Sequence, residues 1–276
     1  MKSKFLILFF IISSVNCLGQ ESKQDKRKDK LYFYWGWNRG FFSKSNIRFT
    51  GENYDFNLTK VIAKDRQSTF NFKTYFSPVS FTIPQYNFRV GYFINNHYDV
   101  SFGIDHMKYV VVQDQQVEIN GYIENTQTSY NGIYNQQQII IQYPFLKFEH
   151  TDGLNYFNFD IRRNDQLFRS KNFTINILEG FGLGGLLPKT NSILLNNERH
   201  DNFHLSGYGI NFCAALNLRF FELFFIQSEF KGGFIHMPSI RTTNNKIDNA
   251  DQSFFFGQYN IVFGLVFKIE NWNFMK

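Results

Sequence analysis

The chain has 276 residues, of which 20% are aromatic and 19% are charged, and it contains two cysteines. A chain with so many aromatic residues is not intrinsically disordered, and two cysteines cannot form the framework of a disulfide-rich domain. The formal charge of +6 lies mostly in residues 1–30, with seven basic and three acidic residues, so the nearly neutral remainder is not expected to bind nucleic acid.

The mean hydropathy of the chain is −0.32, which excludes a bundle of transmembrane helices. It does not exclude a membrane β-barrel. The strands of such a barrel alternate apolar and polar residues, so their hydropathy averages out as neutral.

Residues 1–19 have the three parts of a secretory signal peptide. Lys2 and Lys4 provide the positive start, residues 5–12 the apolar stretch, and residues 17–19 a cleavage site with small residues. Cys17 also permits a lipoprotein interpretation, although residues 14–16 lack the Leu and the small residue usual before a lipidated cysteine. We predict cleavage after residue 19 and leave lipidation of Cys17 open.

Residues 20–30 contain no apolar side chain. Such a segment is typical of a solvated connector. We therefore predict a flexible, polar periplasmic leader over 20–30, followed by a single folded domain over 31–276.

From residue 31 onward, apolar and polar residues alternate with a period of two. A strand that faces lipid on one side and a polar interior on the other requires this pattern. We predict eight strands over 31–40, 83–94, 98–112, 153–163, 172–187, 203–219, 223–237 and 253–269. In the fifth of these, Glu179 falls on the apolar face, so a bulge near Gly180 is expected to reset the phase.

One face of each predicted strand should point outward. The residues expected there include Phe33, Trp35, Val90, Phe102, Phe212, Phe230, Ile261 and Phe263.

The connections alternate in length along the chain. Residues 43–82, 113–152, 188–202 and 240–252 are the longer ones, and the connections between them are shorter. Outer-membrane barrels have this alternation, with long extracellular loops, short periplasmic turns and an even number of strands. We predict an all-β, closed, antiparallel up-and-down barrel of eight strands with strand one paired to strand eight and both termini in the periplasm.

The C-terminal end carries outward aromatic residues and finishes near Trp272 and Phe274. This ending resembles the terminal strand of bacterial outer-membrane proteins. The chain over 31–276 resembles the small barrels of the OmpA, OmpX and OmpW size class, and its composition is similar to Bacteroidota outer-membrane barrels. The resemblance implies a cell outer-membrane location in contact with membrane lipid.

Seven charged residues fall on the predicted inward face. They are Arg89, Asp105, Asp160, Arg162, Arg219, Glu229 and Lys231. Side chains just fill the interior of an eight-stranded barrel, and charges there must be paired. We predict a salt-bridged plug, with a gated conduit for small solutes as the alternative.

Two constellations could carry other chemistry. His106 and His204 lie where a rim-sited Ser-His-acid triad of a lipid A-modifying hydrolase would be, but no serine shares a local signature with them. His200 and His204 have a metal-like spacing only if they lie on a helix, and in a strand they are about 13 Å apart. We predict no catalytic residue, no metal and no cofactor.

Gly180, Gly182, Gly184 and Gly185 form a glycine-rich run. Because the run lies in a predicted strand, it indicates close packing in a narrow barrel rather than a phosphate-binding loop.

These features favour a non-enzymatic outer-membrane barrel whose long loops bind something or dock a subunit. The loops over 43–82 and 113–152 are the candidates for contact with another outer-membrane or surface protein. A narrow channel for small or hydrophobic solutes is the second hypothesis, and the lipid A-modifying hydrolase is the third.

Overall fold

The computed structural model describes residues 25–76 and 84–268, and within them every regular element except one short helix is a β-strand. The elements in chain order are β1 (Lys30–Phe42), β2 (Ser45–Gly51), β3 (Tyr54–Val61), β4 (Ala63–Lys64), α1 (Phe72–Phe76), β5 (Tyr86–Phe93), β6 (Tyr98–Val111), β7 (Gln115–Ile123), β8 (Gly132–Ile141), β9 (Leu146–Arg169), β10 (Phe173–Leu186), β11 (Lys189–Leu194), β12 (His200–Phe203), β13 (Gly207–Phe220), β14 (Phe224–Arg241) and β15 (Asn249–Lys268). The predicted signal peptide with Cys17, and the C-terminal residues Trp272 and Phe274, lie outside the described residues.

Eight antiparallel strands form a ring, in the order β1, β5, β6, β9, β10, β13, β14, β15. The ring returns to its start because β15 pairs with β1 from Lys30↔Lys268 to Phe42↔Phe256. The predicted pairing of the first strand with the last is therefore present. The eight predicted strands are the ring strands, but the prediction missed seven shorter strands that the long connections contain.

The outer wall of the ring carries the predicted apolar residues. Five of the eight are exposed, with exposed fractions from 38% for Phe33 to 60% for Phe212. Trp35, Ile261 and Phe263 are half-buried. Around them, the rings of Trp37 and Phe263 lie 5.8 Å apart, and α1 lays Phe76 against Trp37 at 5.2 Å. The alternation in the sequence identified the outward face, but not this aromatic cover over part of it.

The bulge expected near Gly180 is not there. The register of β10 with β13 runs without a break from Phe173 to Leu186, and the shift between β10 and β9 lies at Ile175/Asn176. Glu179 stays on the outer wall, opposite Arg163 in the register. A facing cation on the same surface lets the strand keep its phase, because opposite charges across a strand pair attract each other.

The long connections fold into an ordered region at one end of the ring, which we call the head. It consists of β2, β3, β4, β7, β8, β11 and β12 together with the adjoining ends of the ring strands. The strands β2, β3, β7 and β8 continue the sheet from β15, β11 pairs with both β9 and β12, and β4 pairs with β6. At the other end of the ring, the described strands are joined by short turns, such as the one at Phe221-Glu222.

A buried apolar cluster, the head core, joins these strands. It includes Ile47, Phe56, Ile119, Phe148 and Met237, each at most 1% exposed. The polarity of the ring strands inverts where they enter the head. In β6 the inward residues change from Asp105 to Met107 and Tyr109, while the outward ones change from Ile104 to His106 and Lys108. The ring is thus polar inside and apolar outside, and the head is the reverse.

Candidate functional site

The interior of the ring holds six of the seven predicted charged residues in one network. Arg89 Nη1 lies 2.9 Å from Asp160 Oδ2, and Arg162 contacts the same oxygen at 3.1 Å. Arg162 Nη1 also lies 3.2 Å from Glu229 Oε2. Lys231 Nζ lies 2.6 Å from Asp105 Oδ2. All six side chains are at most 2% exposed.

Neutral side chains complete the hydrogen bonds of the network. Asn87 and Asn158 each donate to Asp105, at 2.7 and 3.0 Å, and Asn260 donates to Glu229 at 3.0 Å. The Tyr34 hydroxyl accepts from Arg89 Nε at 3.1 Å and from Arg162 Nη2 at 3.0 Å. The buried charges are thus held by several partners each, which is the condition under which a buried ion pair is stable.

Glycines make room for the network. A Cβ on Gly182 would lie 1.9 Å from Asp160 Oδ1, and one on Gly103 would lie 2.7 Å from Arg89 Cζ. The close packing predicted for the run 180–185 therefore has a specific reason at Gly182. A Cβ on Gly185 would make only ordinary van der Waals contact, with Leu205 Cδ1 nearest at 3.7 Å.

Arg219, the seventh predicted residue, is buried near the short-turn end of the ring, apart from the network. Its partner is Asp25, whose Oδ2 also accepts from Arg27 Nε at 2.9 Å. Arg27 in turn donates to the Asn164 carbonyl at 3.0 Å. Both Asp25 and Arg27 are 2% exposed.

The flexible leader predicted over 20–30 therefore differs from the structure in its second half. Asp25 and Arg27 are buried at the short-turn end of the ring, where Asp25 supplies the counter-charge that the inward Arg219 needs. A segment without apolar residues gave no sign of this burial. Residues 20–24 lie outside the described part of the chain.

Aromatic rings cross the interior directly above the network. The rings of Tyr156 and Phe256 meet edge to face at 6.0 Å, and Tyr109 stacks on Phe254 at 4.9 Å. All four are at most 4% exposed. The Tyr109 hydroxyl contacts Ser45 and Gln252, and burial raises the pKa of Tyr109 to about 12. The interior is thus filled at two levels, first by charges and then by the head core.

A polar groove lies at the far end of the head, and we call it the tip groove. Its volume is about 570 Å³, and four separate connections line it. They are residues 52–54 between β2 and β3, 125–127 after β7, 195–198 after β11, and 243–245 with Asp248 between β14 and β15. Sequence reasoning selected the loops over 43–82 and 113–152, but it could not see that 195–198 and 243–248 join them.

The groove has the chemistry of a site for polar ligands. Seven of its side chains are amides, three are carboxylates, and only Leu195 is aliphatic. Asn125, Leu195 and Asn196 have φ between 50° and 61°, a left-handed conformation that is uncommon outside glycine. Such conformations cluster at functional sites. At the groove wall, burial first and then the Asp248 carboxylate raise the pKa of Tyr54.

Two serine–histidine contacts occur near the head. His204 Nε2 lies 3.3 Å from Ser239 Oγ, and His236 Nδ1 lies 2.7 Å from Ser253 Oγ. Within the described residues, no carboxylate contacts either ring, so neither pair has the orienting acid of a triad. His106, the other candidate, bonds to Asn155 Oδ1 at 2.8 Å.

The metal-like spacing of His200 and His204 places the two residues on different partners. His200 Nδ1 lies 3.5 Å from Asn244 Oδ1, whereas His204 contacts Ser239. Over 25–76 and 84–268, no three His, Cys, Asp or Glu side chains are grouped as metal ligands would be. Within the same residues, no helix has the length and apolar character needed to cross a membrane.

Comparison with known proteins gives structural likenesses only. No family model and no curated protein matches the chain. The outer membrane protein OprG from Pseudomonas aeruginosa is similar with 8% identity and a TM-score of 0.43, over 89% of this chain and 99% of that one. The outer membrane protein AlkL, in lipid bilayers, is similar with 9% identity and a TM-score of 0.39, over 92% and 97%. Neisserial surface protein A is similar with 7% identity and a TM-score of 0.33, over 85% and 96%. No functional residue is transferred from them.

Proposed function

We propose that the protein is a non-enzymatic, integral outer-membrane β-barrel that binds a neutral glycan in the tip groove of its head. In this proposal the ring closes as the transmembrane barrel, the head lies outside the cell, and the short turns and both termini lie in the periplasm. The location rests on the ring's exposed apolar wall around a charged interior, an arrangement that is favourable in lipid and costly in water.

The filled interior favours binding over conduction. A solute would have to displace both the charge network and the aromatic residues of the head core. The chain instead uses its long connections to build an ordered head that ends in the tip groove. This groove, formed by four connections that are distant in sequence, is the observation that carries the proposal.

The lining of the groove favours a sugar as the ligand. Amide side chains both donate to and accept from hydroxyl groups, and carboxylates accept from them, which suits the neighbouring hydroxyl groups that a sugar ring presents. The exposed Tyr143 lies beside the groove, and its hydroxyl donates to Asn196 Oδ1 at 3.2 Å. The carboxylates of Glu52, Glu198 and Asp248 disfavour an anionic glycan.

A glycan array probed with the purified protein tests this proposal. We expect neutral glycans to bind, and the double variant Asn53→Ala/Asn244→Ala to bind about thirtyfold more weakly, since each of the two lost hydrogen bonds is worth about 1 kcal/mol. Asn202→Ala, an exposed amide outside the groove, is the matched control. Equal binding by the groove variant and the control would contradict the proposal.

The hydrolase hypothesis is weaker because the two serine–histidine contacts lack an acid. Labelling with a serine-directed fluorophosphonate tests it directly. We expect no labelling of Ser239 or Ser253. If either serine is labelled, and the label is lost in His204→Ala or His236→Ala, the result would support the hydrolase hypothesis.

A further inference from the structure

A second cleft lies on the outer wall, where the polarity of β6 and β9 inverts. Below it, the register pairs Val100↔Ile161, Phe102↔Phe159 and Ile104↔Phe157 form a continuous apolar track. The next outward pair is His106↔Asn155, and it is polar. In the proposed orientation, this step from Ile104 to His106 marks the boundary between acyl chains and headgroups of the outer leaflet.

A local irregularity makes the wall concave at this boundary. The register of β6 with β9 shifts between Met107 and Tyr109, so that the three residues 151–153 of β9 stand opposite Lys108 alone. Gly153 at the bulge has φ 123°, which few other residues adopt. The resulting cleft has a volume of about 630 Å³, with Thr151 and Asp152 at its upper side and Ile104 and Phe157 at its floor.

The polar part of the cleft is suited to an anion. Lys108 and His106 line it together with Tyr86 and Asn155. The His106 ring is stacked on Tyr86 at 4.9 Å with an angle of 13°. Asp152 also lies in the lining, but Lys189 Nζ holds its carboxylate at 2.9 Å. Lys108, which also has interaction partners within the protein, is the lysine of this lining and lies at the level where a headgroup would sit.

We propose that this cleft binds one phosphorylated anionic lipid of the outer leaflet. The phosphate contacts Lys108 and the polar groups around His106, and the acyl chains follow the track over Phe102 and Phe159. The continuity of the cleft with the lipid-facing wall identifies a lipid rather than a free anion as the occupant. The inference rests on the membrane location proposed above.

The wild-type protein in dodecyl maltoside provides the first test. It is titrated with dilauroyl phosphatidylglycerol, with dilauroyl phosphatidylcholine and with inorganic phosphate, and binding is followed by native mass spectrometry and by the unfolding temperature. We expect one phosphatidylglycerol to remain bound, with phosphatidylcholine about tenfold weaker and inorganic phosphate without effect. Equal binding of the two lipids overturns the proposal, and so does stabilisation by phosphate alone.

Variants locate the site. Lys108→Gln should reduce phosphatidylglycerol affinity about tenfold, as expected for one lost charge-assisted contact, whereas Lys108→Arg should retain it. Lys44→Gln, an exposed lysine elsewhere on the head, should bind like the wild type. If Lys108→Gln binds normally, the cleft is not the site. If the protein stays monomeric in buffer without detergent, the membrane location itself is contradicted. This result distinguishes a failure of the proposed location from a failure of the proposed lipid site.

Discussion

At the scale of single residues, the most demanding feature is the buried pair of Lys231 and Asp105. Lys231 Nζ is 2.6 Å from Asp105 Oδ2, and Lys231 is fully buried. A buried charge is costly without its partner, so the two residues stabilise the fold only together.

Lys231→Met should lower the free energy of unfolding by about 3–5 kcal/mol, because Asp105 loses its counter-charge. The double variant Lys231→Met/Asp105→Asn should cost less than either single change. Urea titration in detergent, followed by tryptophan fluorescence, measures the double-mutant cycle. Additive effects would mean that the two side chains do not interact.

The second residue-scale feature is His150 in the head core, which is fully buried. Its Nδ1 contacts Thr190 Oγ1 at 3.0 Å, and Nε2 has no hydrogen-bond partner. Burial lowers the pKa of His150 from 6.5 to about 3. Between these values the unfolded chain binds a proton that the folded chain does not, so stability falls as the pH drops below about 6.5.

At pH 5 the loss from His150 should be about 2 kcal/mol relative to pH 7, at 1.36 kcal/mol for each pKa unit. Unfolding midpoints of the wild type and of His150→Gln, measured from pH 7 to 5, provide the check. The variant should show a flatter dependence on pH, and identical slopes would exclude His150 as the cause.

At the scale of elements, β6 shows what the period of two predicts and what it does not. Alternation identified the strand and its outward residues Val100, Phe102 and Ile104. The inversion at Ile104 and His106 was also present in the sequence, since Met107 and Tyr109 share the inward parity of Asp105. These inward apolar residues in the upper part of β6 could have been used to predict the head core.

Strand β10 leaves room for the charge network because it has glycine where a larger side chain would collide with Asp160. Gly182→Ala should destabilise the protein by about 1–3 kcal/mol, because the new methyl group displaces Asp160. Gly185→Ala, three residues further along the same strand, adds a methyl group at ordinary van der Waals distance from its neighbours and should have little effect. Thermal unfolding of both variants gives the comparison, and equal midpoints would show that β10 shifts to accommodate the methyl group.

At the scale of the whole molecule, the interior is blocked twice, first by the charge network and then by the aromatic residues of the head core. The sequence predicted that the salt-bridged lumen charges form the plug. The head core changes this expectation, because Tyr109, Tyr156, Phe254 and Phe256 cross the interior above the charges.

Liposomes containing the wild-type protein should therefore show little flux of a small sugar. The neutralised variant Lys231→Met/Asp105→Asn should remain closed, whereas adding Tyr156→Ala/Phe256→Ala should increase the flux. Swelling assays measure both effects. High flux through the wild type would favour the channel hypothesis.

The order of amino acids was enough to predict the eight ring strands, their outward faces and the inward position of the seven charged residues, because strand alternation assigns each side chain to a face without reference to its neighbours. Three features became visible only in the folded chain: which charges pair, the burial of Asp25 against Arg219, and the tip groove formed by four distant connections. These features depend on contacts between residues far apart in the chain, such as the 194 positions that separate Asp25 from Arg219, and no local pattern encodes such a contact.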